Sequence, residues 1–166
     1  MGAQGERPSF DLPEYPLLHP VPLFALATLV VNDHVLKQRH PGWVTGKLSD
    51  VAGMVFFPLF LLAVIDMGGR LLGRARFRRD RVLLMCAQAT AIVFCAVKTW
   101  APATELYEWG LGLLQWPFRA LVAILGGGSP GAVGRVALVQ DVTDLVAVPF
   151  VALALLVGVR RGPPRA

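Results

Sequence analysis

Charge and cysteine are both scarce in this chain. Asp, Glu, Lys and Arg make up 16% of its 166 residues, while hydrophobic residues make up 55%. A soluble domain is usually about 45–50% apolar and about 25% charged. With a mean hydropathy of +0.57, the missing charge places the chain in the membrane class. Its two cysteines, Cys86 and Cys95, lie nine residues apart within one apolar run. They lack CxxC spacing and read as packing residues rather than as a disulfide or metal pair. There are three lysines against thirteen arginines. No HExxH, GxSxG, paired CxxC or Walker sequence occurs, so no metalloprotease, serine hydrolase or phosphate-loop chemistry is indicated and no cofactor is named.

The net charge of +5 would suit nucleic acid if it formed a patch. Instead Arg70, Arg74, Arg76, Arg78, Arg79 and Arg81 cluster between two apolar runs, and Arg160, Arg161 and Arg165 cluster near the end. Basic loops beside apolar segments are the positive-inside signal. The expected partner is therefore the lipid bilayer, with a membrane-protein partner or a second copy beside it, and not nucleic acid. Residues 1–16 hold Glu6, Asp11, Glu14 and three prolines without the basic-then-apolar order of a signal peptide. They read as a flexible tail.

What the chain does contain is a repeat. Asp50-Val51, Val55, Pro58, Leu62-Ala63 and Arg70 recur as Asp141-Val142, Val146, Pro149, Leu153-Ala154 and Arg161, each shifted by 91 residues. Acid and arginine are 20 residues apart in both copies, which is about 30 Å of helix, the thickness of a bilayer's hydrocarbon core. Each copy reads as one membrane-spanning helix. The fold expected is an all-α integral membrane protein of four transmembrane helices, built as two parallel-duplicated helical hairpins, plus one amphipathic interfacial helix.

The spans fall at about 17–36, 50–69, 82–98 and 137–159, within a single bundle over 17–161 that is followed by a basic tail, 162–166. Lys98 closes the third span and can snorkel. Residues 105–125 form the interfacial helix: Glu108, Gly112, Gln115 and Arg119 share one face, and Tyr107, Leu111, Leu114, Phe118 and Leu121 another. Counting that helix as a fifth span would send the last arginines outside, against the positive-inside rule. Gly126 to Gly131 reads as a flexible link. Placing both arginine clusters inside puts both termini in the cytoplasm of a bacterial cell and Trp43, Trp100, Trp109 and Trp116 at the outer face.

This topology gathers Asp33, His34, Lys47, Asp50, Asp141 and Asp144 at one level near the outer face. Ionisable groups at the edge of a span point to a site facing the bundle interior. Pro58 and Pro149 read as helix kinks beneath them. Gly53 stands where the second copy has Asp144, an asymmetry that suits one cation or cationic head group. The competing reading is plainer: Ser49, Asp50, Asp141 and Asp144 as N-terminal caps, Asp33 with Lys37 as an i, i+4 pair, His34 as a hydrogen-bonded or solvated imidazole, and Asp66 as a partner of Arg70. The function expected is a non-enzymatic accessory or binding protein with this polar site. The alternative is a membrane-embedded enzyme acting on a lipid or lipid-linked phosphate through the same Asp, His and Lys residues.

Overall fold

The computed structural model describes residues 16–40, 42–73 and 78–159. The tail over 1–15, the basic tail 162–166, and Arg74, Arg76, Arg160, Arg161 and Arg165 lie outside the described residues. The fold is all-helical, with no strand among the described residues. After a 3-10 turn at Pro16–Leu18, α1 covers Pro20–Val31, continues through a π-helical turn at Asn32–Leu36 and ends as α2, Lys37–Arg39. Then come α3, Trp43–Leu71, α4, Arg79–Thr99, and α5, Ala101–Leu125. An extended stretch follows, then a 3-10 helix at Val142–Phe150 that passes directly into α6, Val151–Gly158. α3 and α4 are long and apolar enough to cross a membrane.

Local chemistry sets most of these boundaries. α3 starts after Gly42, whose N–H donates to the Thr45 hydroxyl at 3.1 Å, satisfying a donor that the helix start leaves free. α4 ends at Trp100, which is extended (φ −127°, ψ 110°). Pro102 lies in the first turn of α5, where its missing N–H costs nothing. The Thr104 hydroxyl bridges the corner by donating to the Val97 carbonyl at 2.6 Å. Neither Pro58 nor Pro117 interrupts its helix.

α3 is the hub, packed by α1, α4 and the helix over 142–158. At one end Lys47 meets Asp141 and Asp144. At the other, Leu59 and Leu62 pack with Leu83, Cys86 and Ala154. The repeat-bearing helices therefore run the same way, and α4 runs against them. Gly158 closes this lower core, since a Cβ there would run into Leu83. A second cluster, Ala25, Ala52 and Val55, joins α1 to α3. The outward faces are also apolar: Phe24 is 76% exposed, Met85 67% and Ile92 68%. Helices apolar on all sides belong inside a large core or in lipid.

Three expectations about local structure change. The helix carrying the first repeat copy begins at Trp43, so Ser49 and Asp50 lie about two turns inside it and cap nothing. Asp141, in contrast, is the N-cap of the 142–150 helix and accepts from the Thr143 N–H at 2.8 Å. The last helix begins at Val142 rather than about 137. Half of it is 3-10, which rises about 2.0 Å per residue, so residues 142–158 still extend about 30 Å.

The stretch from Gly126 to Gln140 is an arm lying back along α5. Trp116 Nε1 donates to the Gly131 carbonyl at 2.7 Å. The Val136 N–H donates to the Glu108 carbonyl at 3.2 Å, and the Leu138 N–H to the Glu108 carboxylate at 3.0 Å. Arg135 lies 3.0 Å from Glu108 and over the Trp109 ring. Gly112 lets the arm approach, because any Cβ there would overlap the Gly134 carbonyl oxygen. The polar face of α5 thus binds the chain's own backbone. Leu113, Leu114, Phe118 and Val122 remain more than 60% exposed.

Candidate functional site

Five charged side chains from three elements meet at the upper end of the bundle. Asp144, one turn into the 142–150 helix, is buried and takes both Lys47 of α3 and Lys98 of α4 as ion-pair partners, the latter at 2.5 Å. Lys47 also reaches Asp141 at 3.2 Å and donates to the Thr143 hydroxyl at 2.5 Å. Lys98 lies 3.5 Å from Asp50. The order is Asp141, Lys47, Asp144, Lys98, Asp50, with acids and lysines alternating. Lys47 and Lys98 are each 7% exposed, so their charges must be neutralised inside the protein, and Asp144 is the acid that both share. Three carboxylates face two ammonium groups.

A second network lies beside the first. The Asn32 amide, fully buried in the π-helical turn, donates to the Thr45 carbonyl and the Ser49 hydroxyl, both at 2.6 Å. Ser49 donates on to Asp33 at 2.7 Å. Asp33 in turn pairs with Lys37 at 2.7 Å, as the i, i+4 spacing predicts. The remaining Asn32 oxygen is buried with no hydrogen-bond partner among the described residues. The π turn adds a residue to α1 at the point where Asn32 must face α3.

Between these networks opens a cleft of about 460 Å³, walled by α1, α3 and α4. Asp33, Lys37, Ser49, Asp50 and Lys98 line its polar end, and Met54, Phe57, Leu61, Val93 and Phe94 its apolar part. Tyr107 of α5 also lines the cleft. Burial pushes its phenol above its ordinary value, which keeps the hydroxyl a neutral hydrogen-bonding group.

Of the six residues singled out from sequence, the structure brings Lys47, Asp50, Asp141 and Asp144 into one network. Asp33 belongs to the neighbouring one. His34 is exposed and bonded through Nδ1 to the Val30 carbonyl of its own helix at 3.0 Å. Among the described residues, no group of three or more His, Cys, Asp or Glu side chains is arranged to hold a metal ion. The cations on these acids are the chain's own lysines. Asp66 lies 4.0 Å from Arg79 on α4.

Sequence reasoning left out Lys98, Asn32, Ser49 and Thr143 as site residues. For Lys98 a signal was present: a lysine ends an apolar run at the level of the acids. Asn32 carried none, since its role depends on a π turn. No protein-family model, curated protein or solved structure matches the chain.

Proposed function

We propose that this chain is a four-span protein of a bacterial cytoplasmic membrane, with both termini inside, that binds rather than catalyses. α1 with its extension, α3, α4 and the 142–158 helix are the spans, grouped as two hairpins of the same sense, and α5 lies at the outer interface. The described arginines Arg78, Arg79 and Arg81 at the start of α4, opposite the lysine end, support this orientation. So do Trp43 and Trp100, 68% and 62% exposed at the lysine end.

One observation carries the choice of binding over catalysis. Both buried lysines and their central acid, Asp144, are engaged with one another. A general base or nucleophile must come within reach of a substrate, whereas these three residues are at most 7% exposed and lock α3, α4 and the 142–158 helix together. The network holds the α3 and α4 walls of the cleft in place, and the cleft does the binding.

The test has two parts. The protein is expected to stay with membranes through alkaline carbonate washing. The purified protein, incubated with total bacterial lipid extract, is expected to leave the lipid species unchanged by mass spectrometry. Release by carbonate would defeat the membrane reading. Lipid conversion by the native chain that disappears in Lys47→Met would establish the enzyme instead.

A further inference from the structure

The cleft has two ends of opposite character. From Asp50 the wall descends along α3 through Met54 and Phe57 to Leu61, which is 11 residues below, or about 16 Å of helix. The α4 wall descends from Lys98 through Phe94 to Thr90. A ligand that fills this space has a polar end at the level of Trp43 and Trp100 and an apolar part running toward the lower core. A bilayer lipid is oriented in the same way, with its head group at the aromatic belt and its chains below.

The charges at the polar end define the head group. Lys98 is 2.5 Å from Asp144 but 3.5 Å from Asp50. Lys47 is taken by Asp141 and Asp144. With three carboxylates sharing two lysines, the unmatched negative charge falls on Asp50, whose side chain is 18% exposed and lines the cleft. Lys37 lies on the same rim, its side chain 41% exposed. It is paired with Asp33 at 2.7 Å, and the remaining donors of its ammonium can meet an anion seated farther out. An ammonium inside and an anionic group outside, on an apolar tail, describe an aminophospholipid.

Resting on the reading of the chain as a membrane-embedded binding protein, we infer that the cleft between α1, α3 and α4 binds one phospholipid with a primary-ammonium head group. The ammonium pairs with Asp50, the phosphate lies toward Lys37, and an acyl chain lies between Phe57 and Phe94. The bond at Asp50 is charge-assisted and partly shielded from water, which makes it stronger than a bond between neutral groups. A phosphatidylglycerol has the same phosphate and chains but no ammonium. A simple long-chain amine has the ammonium and a chain but no phosphate.

Full-length protein in detergent is incubated separately with dioleoyl phosphatidylethanolamine, dioleoyl phosphatidylglycerol and dodecylamine, and the retained molecules are counted by native mass spectrometry. One phosphatidylethanolamine per chain is expected, with the other two held about tenfold more weakly. Asp50→Asn is expected to reduce phosphatidylethanolamine to the phosphatidylglycerol level. Val93→Trp, which crowds the apolar part from a position already 53% exposed, is expected to weaken retention without touching a charge. Equal retention of phosphatidylglycerol would overturn the ammonium site, and equal retention of dodecylamine would replace the phospholipid by a lipophilic amine. Unchanged retention in Asp50→Asn, or in Val93→Trp should Asp50→Asn not fold, would also overturn it. A chain that resists carbonate yet holds no phosphatidylethanolamine defeats this inference alone.

Discussion

Asp144 shows how strongly context decides the worth of a residue. By sequence it is one of several acids near a helix start, where a side-chain oxygen ordinarily caps free N–H groups. In the fold it is 6% exposed and has a lysine on each side. Removing one partner of a buried ion pair leaves an uncompensated charge, which costs about 3–5 kcal/mol. Asp144→Asn removes the acid that both lysines share and leaves each a single, more distant carboxylate, Asp141 at 3.2 Å for Lys47 and Asp50 at 3.5 Å for Lys98, so it is expected to lower the unfolding midpoint in detergent strongly. Asp141→Asn is expected to change it little, because that side chain is 40% exposed and Asn caps as well as Asp. Similar midpoints for the two variants would show that Asp144 is not the hub. In a double-mutant cycle, the losses from Asp144→Asn and Lys98→Met are expected to be less than additive, since both substitutions break the same ion pair.

Helical elements follow their local signals closely in places and depart from them in others. The apolar runs predict α3 and α4, and Pro102 marks the start of α5. The reading of 126–131 as a free link misses that the chain returns along α5 and uses the polar face that looked solvent-bound. Such pairing leaves no periodic trace, because an extended arm joins through its backbone groups. Gly112 is the one position where α5 must carry no side chain for the arm to dock. Gly112→Ala is expected to release the arm, giving faster proteolysis between residues 126 and 141. Gly110→Ala, where a Cβ meets open space, is expected to leave cleavage unchanged. Equal cleavage in both variants would show that the arm does not depend on this contact.

At the scale of the molecule, the proposed topology turns on α5. If it lies on the outer surface, Ser129 is outside and the C-terminus inside. If it crosses, Ser129 moves to the inner side, while the arm's return along α5 to Asp141 keeps the C-terminus inside. Ser129→Cys is expected to react with an impermeant maleimide in intact cells, and a cysteine added after Ala166 only after lysis. Cys86 and Cys95 lie within α4, a span in this topology, and are expected to give no aqueous background. Loss of labelling at Ser129→Cys in intact cells would show that α5 crosses, and labelling of the C-terminal cysteine there would overturn the proposed orientation.

The sequence alone determined the helical character of this protein and its two long apolar helices, because hydropathy and the spacing of Pro and Gly act over a few helical turns. Apolar runs of bilayer length, the arginines between them and the level of the acids were legible without a fold. The repeat was legible as a sequence likeness, yet Asp50 lies inside an α-helix while Asp141 caps a 3-10 helix. Helix type and start are set by what precedes each copy. Tertiary structure alone decided which charges meet. Lys47 and Asp144 are 97 residues apart, and Lys98 reaches Asp144 only because α4 packs antiparallel to both neighbours. Long-range electrostatic pairing depends on which helices touch and how deep each side chain sits, and no local pattern records either.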